Sequence, residues 1–159
     1  MAGSLWLWPF LYLLSIIFAN MAVYYFGIVH IGFLSFPAGV LFVGLTFSFR
    51  DMVQRFWGDW SCWIWMIIAT IFTVLFSWDL AVASLAAFII SESVDWFVFK
   101  VLKVPLYKRI MIANLFAVPL DSIIFVYLAF GWIPEAMIGQ SIIKYFSGLL
   151  ILPFVWRRR

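Results

Sequence analysis

Charge is what this sequence has least of. Only 11% of its 159 residues are Asp, Glu, Lys or Arg, against 67% apolar and 22% aromatic. A soluble domain carries about 25% charged residues, and so few charges cannot cover a water-facing surface. That scarcity excludes soluble enzymes, nucleic-acid-binding modules and disordered chains. Cysteine and histidine are scarcer still. With Cys62 as the one cysteine no intrachain disulfide forms, and with one histidine no metal-ligand spacing arises. No H-E-x-x-H, G-x-S-x-G or Gly-rich phosphate loop occurs. One His and one Cys supply no nucleophile–base pair. The expectation is a chain that is not an enzyme, with no catalytic residues, no metal and no cofactor. Without a Walker motif, any uphill movement must draw on an ion gradient or a separate subunit. The N-terminus lacks a basic n-region and stays apolar well past about 7–15 residues, so no secretory signal peptide is expected.

What is present is apolar length. Six stretches, about 5–27, 32–49, 61–78, 80–99, 110–131 and 136–156, are each long enough to cross a hydrocarbon core of about 30 Å as a helix. A helix satisfies its own backbone in lipid. The reading is a single all-α integral membrane domain over 1–159, a bundle of six transmembrane helices. The polar segment from Arg50 to Trp60 separates the second and third stretches, and Trp78 and Asp79 alone divide the third from the fourth. All ten Lys and Arg residues except Lys144 fall on one side of such a bundle: Arg50, Arg55, Lys100, Lys103, Lys108, Arg109 and Arg157–Arg159. By the positive-inside rule that side is cytoplasmic, and both termini with it. The expected location is the inner (plasma) membrane, crossed several times.

The polar groups left inside the apolar stretches are the candidate site. Lys144 lies in the sixth, Glu92 and Asp95 in the fourth, Asn114 and Asp121 in the fifth, and Asn20 in the first. An ionisable side chain at mid-span costs at least about 2.5–3.5 kcal/mol on insertion scales, and such residues turn inward, pair and mark a pathway. Helical rise puts Asp121 about 16–18 Å from the inner end of its stretch and Lys144 about 12 Å from the outer end of its own. Glu92 and Asp95, three apart, share a helix face. These residues are read as substrate-binding. Asp51 and Arg55, four apart, and Pro119, two before Asp121, are read as structural or gating. The alternatives stay open: Asp121 with Lys144 as a purely structural ion pair, Asn20 and Asn114 as interhelical hydrogen bonds worth about 0.6 kcal/mol each, and Asp95 as an interfacial charge near Lys100.

The order of these residues carries a resemblance. The second stretch runs from Pro37-Ala38-Gly39 through Gly44 to Asp51, Arg55 and Gly58. The fourth carries Glu92-Ser93-Val94-Asp95. The fifth carries Pro119-Leu120-Asp121-Ser122, then Phe125, Ala129 and Phe130; the sixth carries Lys144, followed by Pro153. The chain resembles the queuosine-precursor transporter family, also called the vitamin uptake transporter family, over about Asn20 to Pro153. Its pattern differs from that of many members at Gly44, Arg55, Glu92 and Val118. The family is similar in size to the substrate-binding subunits of energy-coupling-factor vitamin transporters. The resemblance implies import of a 7-deazaguanine base: the cyano or aminomethyl precursor of queuosine (preQ0 or preQ1), or queuine. A carboxylate, Asp121 or Glu92, would accept the ring N–H and the exocyclic amine. Lys144 would hold the neighbouring carboxylate or meet the purine carbonyl, an aromatic ring would stack on the base, and the walls would be free of arginine. The partners expected are the small-molecule deazapurine, the lipid bilayer, and either further copies of the chain or an energising subunit, with no nucleic acid. Two other readings remain: a partner-dependent substrate-binding subunit, and a structural membrane protein that transports nothing.

Overall fold

A computed structural model describes residues 3–32 and 34–149. Each apolar stretch holds one α-helix: α1 (Gly3–Phe26), α2 (Val40–Trp57), α3 (Asp59–Val74), α4 (Trp78–Val101), α5 (Leu106–Phe130) and α6 (Pro134–Leu149). Among the described residues two of them contain windows long and apolar enough to cross a membrane by themselves, Trp6–Phe26 and Met111–Phe130; Trp60–Val74 is a shorter apolar helix. Pro153 and Arg157–Arg159 lie outside the described residues, as do the side chains of Asp51, Arg55 and Arg109.

The helix ends follow local chemistry. Ser77 caps α4, its hydroxyl accepting the Leu80 N–H at 3.4 Å, with Asp79 in the first turn and Lys100 in the last, each favourable to the helix dipole. Gly58, at φ 86°, separates α2 from α3 in a conformation that a side chain would resist. The polar segment after Arg50 thus continues α2 as helix to Trp57.

The expected second span from residue 32 is corrected by the structure. Residues 28–37 form an antiparallel hairpin, β1 (Ile28–Ile31) with β2 (Leu34–Pro37), pairing Ile28 with Pro37 and Ile31 with Leu34. Only at Val40 does α2 begin. The segment is rich in β-branched and aromatic residues between glycines, a strand pattern hidden in an apolar sequence. Gly32 takes φ 62° at the turn, and Ala38 N–H donates to the Gly27 carbonyl at 2.9 Å to close the base.

The helices pack as a closed ring in the order α1, α2, α6, α5, α4, α3, and α6 also lies against β2. Small residues make this close approach feasible. A Cβ on Gly39 would strike the Ala19 carbonyl on α1, one on Gly44 would strike Ser147 on α6, and one on Gly139 would strike the Ser35 carbonyl of the hairpin. Alanines such as Ala19, Ala69, Ala83, Ala87, Ala113 and Ala117 fill the interior, together with Asn20, Arg50, Asp95, Asp121, Gln140 and Lys144. Large side chains face outward: Trp6, Phe10, Ile64, Ile71, Leu115 and Phe116 are among the exposed ones. In water that distribution would drive aggregation. It is stable in a solvent as apolar as leucine, so the chain is a membrane protein.

Candidate functional site

The ring encloses a cavity of about 90 Å³ to which all six helices contribute wall residues. A single water needs roughly 10–15 Å³ by this measure, so the space suits a small organic molecule. Its apolar wall includes Ile16, Val23, Val43 and Met66, with the rings of Tyr12, Phe88 and Phe125. Its polar wall holds Asn20, Arg50, Asp121, Gln140 and Lys144.

Asp121 and Lys144 come from α5 and α6, neighbours in the ring. Lys144 Nζ donates to Asp121 Oδ2; the lysine is 3% exposed and the aspartate 9%. The ammonium also sits 5.6 Å from the centre of the Phe125 ring, one turn along α5 from Asp121, an electrostatic attraction to the ring face. Removing one member of such a buried pair costs about 3–5 kcal/mol, because the other charge is left bare.

A second ion cluster joins α2 to α4. The Arg50 guanidinium donates to Glu92 Oε1 and, at 3.0 Å, to Asp95 Oδ2. Glu92 and Asp95 point at Arg50 and stand behind it, not on the cavity wall. This corrects two expectations. Arg50 is not an exposed charge just past the second apolar stretch; it is 8% exposed inside α2. Nor are the walls free of arginine. The physical reason is charge balance: two carboxylates a turn apart in an apolar bundle need a cation within reach, and Lys144 is already taken. That imbalance was visible in the sequence.

The remaining expected residues separate. Asn20, 5% exposed, lines the cavity and bridges three helices, donating to Thr73 Oγ1 at 3.0 Å and accepting from Ser84 Oγ at 2.7 Å. Asn114 is buried on α5 but is not a wall residue. Pro119 lies inside α5, away from the wall, and removes one helical N–H two residues before Asp121. Asp51 and Arg55 sit on α2, with side chains outside the described set.

Sequence reasoning missed Gln140. It is 2% exposed, lies on the wall one turn from Lys144, and its Oε1 has no hydrogen-bond partner among the described residues. An unmet buried acceptor costs about 1–3 kcal/mol. The four-residue spacing to Lys144 was the available signal. Among the described residues no group of three His, Cys, Asp or Glu is placed to hold a metal ion.

This arrangement can bind a small, flat, partly polar molecule between aromatic rings and fixed charges, inside the apolar bundle. No curated protein and no solved structure matches the chain. A protein family does: the one described as "Putative vitamin uptake transporter" matches residues 60–157, a segment that holds α3 from its second residue and all of α4 to α6, and with them Glu92, Asp95, Asp121, Gln140 and Lys144. The chain belongs to that vitamin uptake transporter family.

Proposed function

We propose that the protein imports a queuosine precursor, a 7-deazaguanine base, and holds it in the cavity at the middle of the bundle. The observation that carries this reading is the cavity itself: about 90 Å³, ringed by all six helices, with aromatic rings and paired charges on its wall. A deazaguanine is a flat bicycle with N–H donors along one edge. Tyr12, Phe88 or Phe125 stacks on it, and Asp121, steadied by Lys144, accepts a donor. Binding sites of this kind are concave and mostly apolar, with a few converging polar groups.

In this reading all six helices span the inner (plasma) membrane. The end bearing Gly58 and the α4–α5 connection faces the cytoplasm, as do both termini. The exposed Lys100, Lys103 and Lys108 cluster along that connection, where the positive-inside rule puts them. The buried Arg50 no longer counts toward that rule.

The test is uptake-dependent queuosine in tRNA. The host lacks precursor synthesis and its own importer, and receives each deazapurine at low concentration. The expected result is rescue by the wild-type chain and at least about tenfold less with Asp121→Asn at matched membrane levels, the loss of one charged contact. No rescue with any precursor, despite good membrane levels, overturns stand-alone import and favours a substrate-binding subunit that needs an energising partner.

A further inference from the structure

Most polar groups on the cavity wall are already committed. Lys144 and Asp121 hold each other. Asn20 uses its amide N–H on Thr73 and its carbonyl on Ser84. Thr46 donates to Ser15 at 3.0 Å, and Ser91 to the Phe88 carbonyl at 3.0 Å. Gln140 is different. Its side chain is buried at 2% exposure on the cavity wall, and Oε1 meets no donor among the described residues. Folded proteins satisfy nearly all buried polar atoms, so such an exception on the wall of a binding cavity points outward from the protein to what the cavity receives.

We propose that Gln140 is a ligand-binding residue whose Oε1 accepts an N–H from a planar heterocycle in the cavity. The proposal rests on the import reading and deepens it. Helical spacing sets Gln140 one turn from Lys144 on α6, and Phe125 one turn from Asp121 on the adjacent α5. A flat ring beside Phe125 then meets two acceptors of different character, the charge-paired Asp121 and the neutral Gln140. An uncharged acceptor has a particular advantage in a carrier. The carrier must pass through an empty state in every cycle, and a bare amide oxygen is far cheaper to leave unmet in an apolar bundle than a bare carboxylate. A ligand edge with two N–H groups is thereby recognised with only one buried ion pair at that place.

The experiment compares the full-length wild-type chain with Gln140→Met, which is close in volume and keeps no acceptor oxygen. Both are purified in detergent and titrated calorimetrically with 7-deazaguanine and its 7-cyano and 7-aminomethyl forms. Melting temperatures are measured without ligand. The expected result is a Kd weakened about tenfold or more, the loss of one hydrogen bond that leaves a ligand donor unmet. The unliganded melting temperature should be unchanged or higher by about 2–4 °C, since an unmet polar atom has been removed. Equal affinity in the two proteins overturns the proposal. So does a clear fall in the unliganded melting temperature, or failure of Gln140→Met to fold, because either would show that the amide serves the folded protein. If the wild-type chain binds none of the three probes, the import reading falls first, and the role given to Gln140 falls with it. The wild-type titration alone separates that failure from the other two.

Discussion

Among the described residues two ion clusters lie buried in the bundle, and they differ in what they present. Lys144 and Asp121 form a one-to-one pair, and both line the cavity. Arg50 holds two carboxylates, Glu92 and Asp95, and only the arginine reaches the wall. The first pair links the ring neighbours α5 and α6; the second links α2 and α4, which are not ring neighbours. Buried charge therefore does not by itself mark a binding group. Asp121 and Lys144 face the cavity together and can answer to a ligand, whereas the Arg50 guanidinium is held by two carboxylates behind the wall and fixes how helices sit.

The sharpest way to break this contrast is to remove each cation and then neutralise what it leaves. Arg50→Met should have the largest effect. It bares two carboxylates, so destabilisation should reach or exceed about 3–5 kcal/mol, seen as loss of the protein from the membrane fraction. Adding Glu92→Gln and Asp95→Asn should restore most of the membrane level and, with it, uptake. Lys144→Met should cost about 3–5 kcal/mol. Pairing it with Asp121→Leu should restore the melting temperature and leave uptake abolished. If the neutralised Arg50 cluster also loses uptake at full membrane levels, the division between the two clusters is wrong.

Smaller changes sharpen the frame around them. Gly44→Ala forces a Cβ into Ser147 where α2 meets α6, and overpacking of this kind costs about 1–3 kcal/mol. Thermal melting of the purified variant measures it, with a larger loss than for an Ala22→Gly control on α1. Asn20→Ala should be mildest, removing two interhelical hydrogen bonds worth about 0.6 kcal/mol each. Uptake by that variant should persist at a reduced rate if Asn20 serves mainly as a bridge.

How much of this was legible in the sequence depends on which physical signal each feature leaves. Helices leave a strong one, because a long apolar run must satisfy its own backbone, and all six apolar stretches contain one. The hairpin leaves almost none. Ile28, Val29, Phe36 and their neighbours are as apolar as a membrane helix, and only the β-branched composition between glycines marks strands. Asp121 and Lys144 were readable as polar groups too deep to be loop charges, but their pairing was left open. Arg50 was misread because it stands near the end of an apolar run, where position implies a surface charge. The clue lay instead in an excess of carboxylates elsewhere. Gln140 was overlooked because it is uncharged, although its spacing from Lys144 placed it on the same face.

The ring order also sets a timetable for synthesis. Helices α1 to α5 emerge before α6, yet the gap between α2 and α5 is filled by α6. Until it arrives the cavity wall has a missing stave, and the Asp121 carboxylate has no ammonium beside it. Lys144 arrives on the same helix that closes the ring. Closure and charge neutralisation are therefore one event. A chain interrupted after α5 would have an open seam and an uncompensated acid together.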